Sequence, residues 1–137
     1  MGREMRSEQF VAADGVTYEM AIASAAVVYT NAKKITRAAS MSVSYIATSA
    51  GNIKLQIEIE QSWRKPTTEY VADASYVVGE SVNDVVSSLA DATQHHKGSL
   101  GQITLPYIRL KITGLAGDGA NAATTTLNAR LNVQEAD

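Results

Sequence analysis

The sequence predicts an all-β protein, a two-sheet antiparallel sandwich of the jelly-roll or immunoglobulin-like kind with one short helix. Three observations predict it. Apolar and polar residues alternate with period two along several segments, the pattern of a strand with one buried face. Turn residues rich in glycine and asparagine separate those segments. The chain has 137 residues, of which 45% are apolar and 19% charged. A chain of that length buries roughly two-thirds of its unfolded surface. Five or more half-buried strands do not make one stable flat sheet, because every apolar face needs a partner, so two sheets must stack.

In chain order, residues 1–12 are expected to form an N-terminal arm that carries Arg3, Arg6 and Phe10 to a neighbouring subunit. Residues 13–137 are expected to form a single sandwich domain. After the turn Asp14-Gly15, the residues Val16, Tyr18, Met20 and Ile22 alternate with Thr17, Glu19 and Ala21 as a first strand. Residues 25–30 are a weaker strand candidate, favoured by β-branched residues and Tyr29. Met41, Val43 and Tyr45 alternate with serines, and Ser49-Ala50-Gly51-Asn52 predicts a hairpin to the next strand. That next strand has the clearest signal, with Ile53, Leu55, Ile57 and Ile59 set against Lys54, Gln56, Glu58 and Glu60. Trp63 extends its apolar face.

Residues 71–78 are a second weaker strand candidate. Val82, Val85, Val86 and Leu89 then follow helical spacing, and Ser81 with Asp84 makes a capping box, so a short helix is expected there. Ile108, Leu110 and Ile112 alternate with Arg109, Lys111 and Thr113. Leu127, Ala129, Leu131 and Val133 alternate with Asn128, Arg130, Asn132 and Gln134. The loop around Gly117-Asp118-Gly119 is expected to join these last two strands as a long hairpin with an exposed tip.

Composition excludes several functions. The chain has no cysteine, so disulfides, thiolate metal sites and a cysteine nucleophile are all absent. Its net charge is -2, with 12 basic and 14 acidic residues, whereas nucleic-acid binders carry a basic excess. The longest apolar stretch is too short and too rich in alanine and serine to span a bilayer. The N-terminal residues carry no apolar core of a secretory signal. His95 and His96 are adjacent and diverge on either a strand or a helix, so an exposed polar loop before Gly98 is expected rather than a metal site. Gly117-Asp118-Gly119 lacks the further carboxylates of a calcium loop. Glu58 and Glu60 share one strand face, but they sit in a row with Lys54 and Gln56, which reads as a solvated or cross-strand-paired face rather than a glycosidase pair. No GxSxG motif accompanies the histidines. The chain is thus expected not to be an enzyme and to need no metal or cofactor.

Two features suit a binding surface. The arm residues Arg3, Arg6 and Phe10 are one. The other is the Arg64-Lys65-Pro66 loop, flanked by Trp63 and Tyr70. There the aromatics either form a flat platform for a sugar ring, or Trp63 caps the core at the end of its strand.

The segments 36–45, 53–63 and 105–114 carry a resemblance. Their order of strand, glycine turn, alternating strand ending in Glu60-Gln61-Ser62-Trp63, loop, and then Pro106-Tyr107-Ile108-Arg109 resembles small β-sandwich structural proteins of tailed-phage virions. The strand of residues 127–134 also fits, so the resemblance covers residues 36–134, and the helical stripe departs from it. It implies a virion structural role, chiefly a capsid decoration (cement) subunit, with a tail or neck component as another position in the particle. The implied partners are copies of the chain itself and a major virion protein, with no nucleic acid or membrane. The implied location is the virion, after synthesis in the host cytoplasm. A carbohydrate-binding or host-recognition module is the competing expectation.

Overall fold

The computed structural model describes residues 5–11, 20–23, 25–35, 38–49, 53–86, 94–97, 105–116 and 124–135. Ten strands lie among them: β1 (Met5–Gln9), β2 (Met20–Ala23), β3 (Val27–Tyr29), β4 (Lys33–Lys34), β5 (Ala38–Ser49), β6 (Ile53–Ser62), β7 (Val77–Val86), β8 (Gln94–Lys97), β9 (Tyr107–Ala116) and β10 (Thr124–Glu135). All pairings among them are antiparallel. They form two five-stranded sheets. One has the order β1-β10-β5-β8, with β2 also on β10. The other has the order β3-β9-β6-β7, with β4 also on β9.

This order is a jelly roll, the first of the two sandwich types the sequence allowed. The opening strands β1 and β2 pair with the last strand, β3 and β4 with the next to last, β5 with β8, and β6 with β7. A long two-stranded ribbon wound on itself gives that nesting. It also corrects two expectations. β5 and β6 do not form a hairpin, nor do β9 and β10, because each pair lies in opposite sheets. Alternation tells which face of a strand is buried but carries no information about its lateral partner.

The alternating residues meet between the sheets. Ile57, Ile59, Ile108, Leu110 and Ile112 from one side face Val43, Tyr45, Leu127, Leu131 and Val133 from the other, all buried. Met20 and Ile22 of β2 complete this layer. Truncating one such side chain to alanine costs about 2–5 kcal/mol, through lost transfer energy and the cavity left behind.

Three further expectations change. The segment with the helical stripe is strand β7, since Val82 pairs with Ile57, Val85 with Lys54 and Val86 with Ile53. Valines at helical spacing are equally good strand formers, and long β6 supplies the partner that decides between the two. His95 and His96 lie on β8, paired with Tyr45 and Ser44, rather than in a loop. Finally, the N-terminal arm is not free over its described residues. β1 pairs with residues 130–134 of β10, and Phe10 is fully buried in the core. Pairing β1 with β10 satisfies the backbone N–H and C=O groups along that edge within the same chain, and Phe10 adds its side chain to the core.

The chain changes sheet between β2 and β3 at a tight corner. Ala25 adopts a positive φ of 65°, its N–H donates to the Gly114 carbonyl at 2.6 Å, and the Gly114 N–H donates to the Ala26 carbonyl at 2.9 Å. Gly114 of β9 is required there, because a Cβ would run into the Ala23 carbonyl. On the same side, Val11 and Asn31 exchange bonds between the sheets: the Val11 N–H donates to Asn31 Oδ1 and the Asn31 N–H to the Val11 carbonyl.

The expectations for Arg3, for Val16 and Tyr18, and for Asp14-Gly15 concern residues outside the described ones. So do those for residues 50–52, Leu89, Gly98 and Gly117-Asp118-Gly119.

Candidate functional site

Strand β6 ends at Ser62, and the chain returns to β7 through residues 63–76. This loop covers part of the outer face of the β3-β9-β6-β7 sheet and seals an ion pair there. Arg109 of β9 and Glu60 of β6 are register partners. Arg109 Nε donates to Glu60 Oε1 at 2.8 Å, and Arg109 is 0% and Glu60 8% exposed. The guanidinium lies between two tyrosine rings, 4.5 Å from the Tyr29 centroid and 4.3 Å from that of Tyr76. A second donor of Arg109 reaches the Val71 carbonyl at 2.8 Å and so ties the loop to the sheet. Arginine suits the place, since it stays charged when buried, stacks on aromatic faces and donates in several directions. The burial that encloses Tyr76 pushes its hydroxyl pKa up to about 12, with the Arg109 charge opposing the rise.

The loop is braced a second time at its base. Asp73 Oδ1 accepts from the Ser75 N–H at 2.9 Å and the Ser75 hydroxyl at 2.8 Å. These bonds, joined by the Arg64 charge, hold the Asp73 carboxyl below its usual pKa. Ser62 Oγ donates to Ser75 Oγ and accepts from the Arg64 N–H. Arg64 itself donates to Thr67 Oγ1 at 2.8 Å and lies 3.6 Å from Asp73. Tyr70 adopts φ 69°, a conformation uncommon for a bulky residue and one that surrounding structure must hold.

This braced loop presents apolar side chains outward. Trp63 is 67% exposed, with the Arg64 guanidinium 5.9 Å from its ring centroid. Val71 in the loop is exposed, as are Val77 and Val78 at the start of β7. Val77 and Val78 pair with Gln61 and Glu60, so they flank the strand end from which Trp63 emerges. They adjoin a register shift between Ile59 and Glu60, and both are exposed although consecutive. Because β7 is the last strand of its sheet among the described residues, this corner also offers an edge.

Of the residues singled out from sequence, the structure brings Trp63, Arg64 and Tyr70 into one loop. Trp63 does not cap the core. Arg6 lies on β1 of the other sheet, opposite Val133 and half-buried. Phe10 is a core residue and offers no surface to a partner. Arg109, Glu60, Tyr29 and Tyr76 were not foreseen as a cluster. Their only sequence signal was a pair of opposite charges on two polar strand faces. Among the described residues, no group of three histidine or acidic side chains is placed to hold a metal.

No family model matches this sequence, and no curated protein matches it. Solved structures do share its fold. A carbohydrate-binding domain, CBM4, superposes with a TM-score of 0.50 at 14% identity, over 94% of this chain and 94% of that one. The N-terminal cellulose-binding domain of Cellulomonas fimi β-1,4-glucanase C gives 0.49 at 14% identity, over 100% of this chain and 81% of that one. A chain of the infectious bursal disease virus Gt strain structure gives 0.50 at 15% identity, over 96% of this chain but only 32% of that one. At these identities the likeness to the two structures that reach 0.50 is one of fold, and the fold is a β-sandwich.

Proposed function

We propose that this chain is a structural, non-catalytic subunit of a virus particle, a capsid decoration protein that docks on a major shell protein and on its own copies. One observation carries the reading: Trp63 and Val71, on a loop tied to the sheet by Arg109, and Val77 and Val78, at the start of β7, concentrate exposed apolar surface at one corner. Exposed apolar side chains gathered at one place mark a contact surface, and a rigid presenting loop lowers the entropy cost of docking. Tryptophan is among the residues that dominate such contacts. The jelly roll supports the reading at the level of fold, since virus shells use it widely, though fold alone does not assign function. The particle is the expected location, reached after synthesis in the host cytoplasm.

Immunogold labelling of gradient-purified particles from the source culture tests this. Regular labelling of intact particles is expected, and label confined to the particle-free fraction would contradict it.

A second reading has its own observation. The 67% exposure of Trp63 leaves its ring face open to stack on a sugar. On that reading Trp63→Ala removes glycan binding on an array while the thermal transition stays in place, and Val78→Asp has no effect on it. Docking on a protein shell instead requires both residues.

A further inference from the structure

The outer face of the β1-β10-β5-β8 sheet differs in kind from that of its partner. Opposite charges pair across the β6-β9 face, where Glu58 meets Lys111 at 3.9 Å and Glu60 meets Arg109 at 2.8 Å. On β1, β10 and β5, the outward residues with described side chains are Met5, Ser7, Gln9, Thr126, Asn128, Arg130, Asn132, Gln134, Ser40, Ser42, Ser44 and Ile46. They include a cation, Arg130, and no carboxylate. In register, Arg130 lies between Gln9 and Ser44, both neutral.

The neutral groups are held in place by one another. Asn132 Nδ2 donates to Ser44 Oγ at 2.8 Å and its Oδ1 accepts from Ser7 Oγ at 2.9 Å. Gln9 Nε2 donates to Asn128 Oδ1 at 3.2 Å, and Arg130 spends one N–H on Ser7 Oγ at 3.1 Å. Beside Arg130 the face dips into a recess of about 170 Å³, lined by Ser44, Tyr45, Ile46, Asn128 and Arg130. That is smaller than the roughly 300–1,000 Å³ of drug-sized pockets, so it fits one ring-sized unit of a longer ligand. Ile46, partly exposed, offers an apolar patch for the C–H face of such a ring.

The geometry points to a second binding site here, for a saccharide that carries a carboxylate. The Arg130 guanidinium takes the carboxylate in a two-bond fork. The Ser44 hydroxyl and the Asn128 amide meet ring hydroxyls, and Ile46 meets the apolar ring face. Among the described side chains of this face Arg130 is the one cation on a neutral, hydrogen-bonding surface, which matches one anionic group among many hydroxyls, whereas a nucleic acid calls for several cations. This site is independent of the Trp63 corner, which lies on the other sheet.

The test is a titration of the full chain, followed by calorimetry, with tetragalacturonic acid, cellotetraose and inorganic sulfate. Tetragalacturonic acid is expected to bind at least tenfold more tightly than either alternative. Arg130→Gln, at an exposed position, is expected to weaken that binding at least tenfold with the thermal transition unmoved, while Trp63→Ala leaves it intact. Absence of tetragalacturonic acid binding overturns the inference, as does equal binding of cellotetraose or sulfate. Binding that survives Arg130→Gln, or that Trp63→Ala abolishes, overturns it too.

Discussion

Arg109 shows how one side chain sets the shape of a surface. It is fully buried, yet it lies on the outward face of its strand, because the loop of residues 63–76 closes over it. Replacing it with methionine strands the Glu60 carboxylate and releases the Val71 carbonyl. Breaking a buried pair from one side costs about 3–5 kcal/mol, and Arg109→Met should lower the denaturant midpoint accordingly without changing the slope. Tyr76 gives the pH counterpart. Its hydroxyl has no hydrogen-bond partner among the described residues, and burial raises its pKa from 10.0 to about 12. Between those values the unfolded chain has released a proton that the folded chain still holds, so stability falls as pH rises through this window. Tyr76→Phe keeps the ring against Arg109 and is expected to be close to neutral at pH 7. Above pH 10 it should flatten the loss of stability seen in alkaline denaturant titrations.

At the scale of elements, the crossing from β2 to β3 depends on Gly114 as much as on its own residues. Gly114→Ala drives a methyl group into the Ala23 carbonyl, a backbone atom that cannot swing aside. Overpacking of this kind costs about 1–3 kcal/mol or more, and chemical denaturation of the variant should show that loss. The elements also show what a sequence carries and what it omits. The faces of β6, β9 and β10 were legible, because Ile57, Leu110 and Leu131 obey period two and are buried as that rule requires. The sequence of β7 reads as helix, because its valines fall at helical spacing while their β-branched side chains suit a strand, and only pairing with β6 separates the two. β1 was misread as an arm, because Met5-Arg6-Ser7-Glu8-Gln9 has little apolar alternation to mark it as a strand. Its place is set by the unpaired edge of β10, a long-range fact with no local trace.

At the scale of the molecule, the sandwich was legible and its winding was not. Nesting β5 against β8 and β6 against β7 requires that neighbours in sequence part into different sheets, which no turn signal announces. The candidate site was half legible for the same reason. Trp63, Arg64 and Tyr70 are close in sequence and could be grouped from it, whereas Arg109, Tyr29 and Val78 join them only through the sheet. That grouping turns an isolated exposed tryptophan into a corner fit for a partner, and it gives the proposed docking a definite address.

Rebinding of the purified chain to particles stripped of it tests that address most directly, with wild type, Trp63→Ala and Val78→Asp compared by occupancy in cryo-electron microscopy. The expected result is full occupancy for wild type and a drop of tenfold or more for each variant, with all three proteins melting alike. Undiminished occupancy of both variants, or wild-type density that contacts the shell through another face, would contradict it.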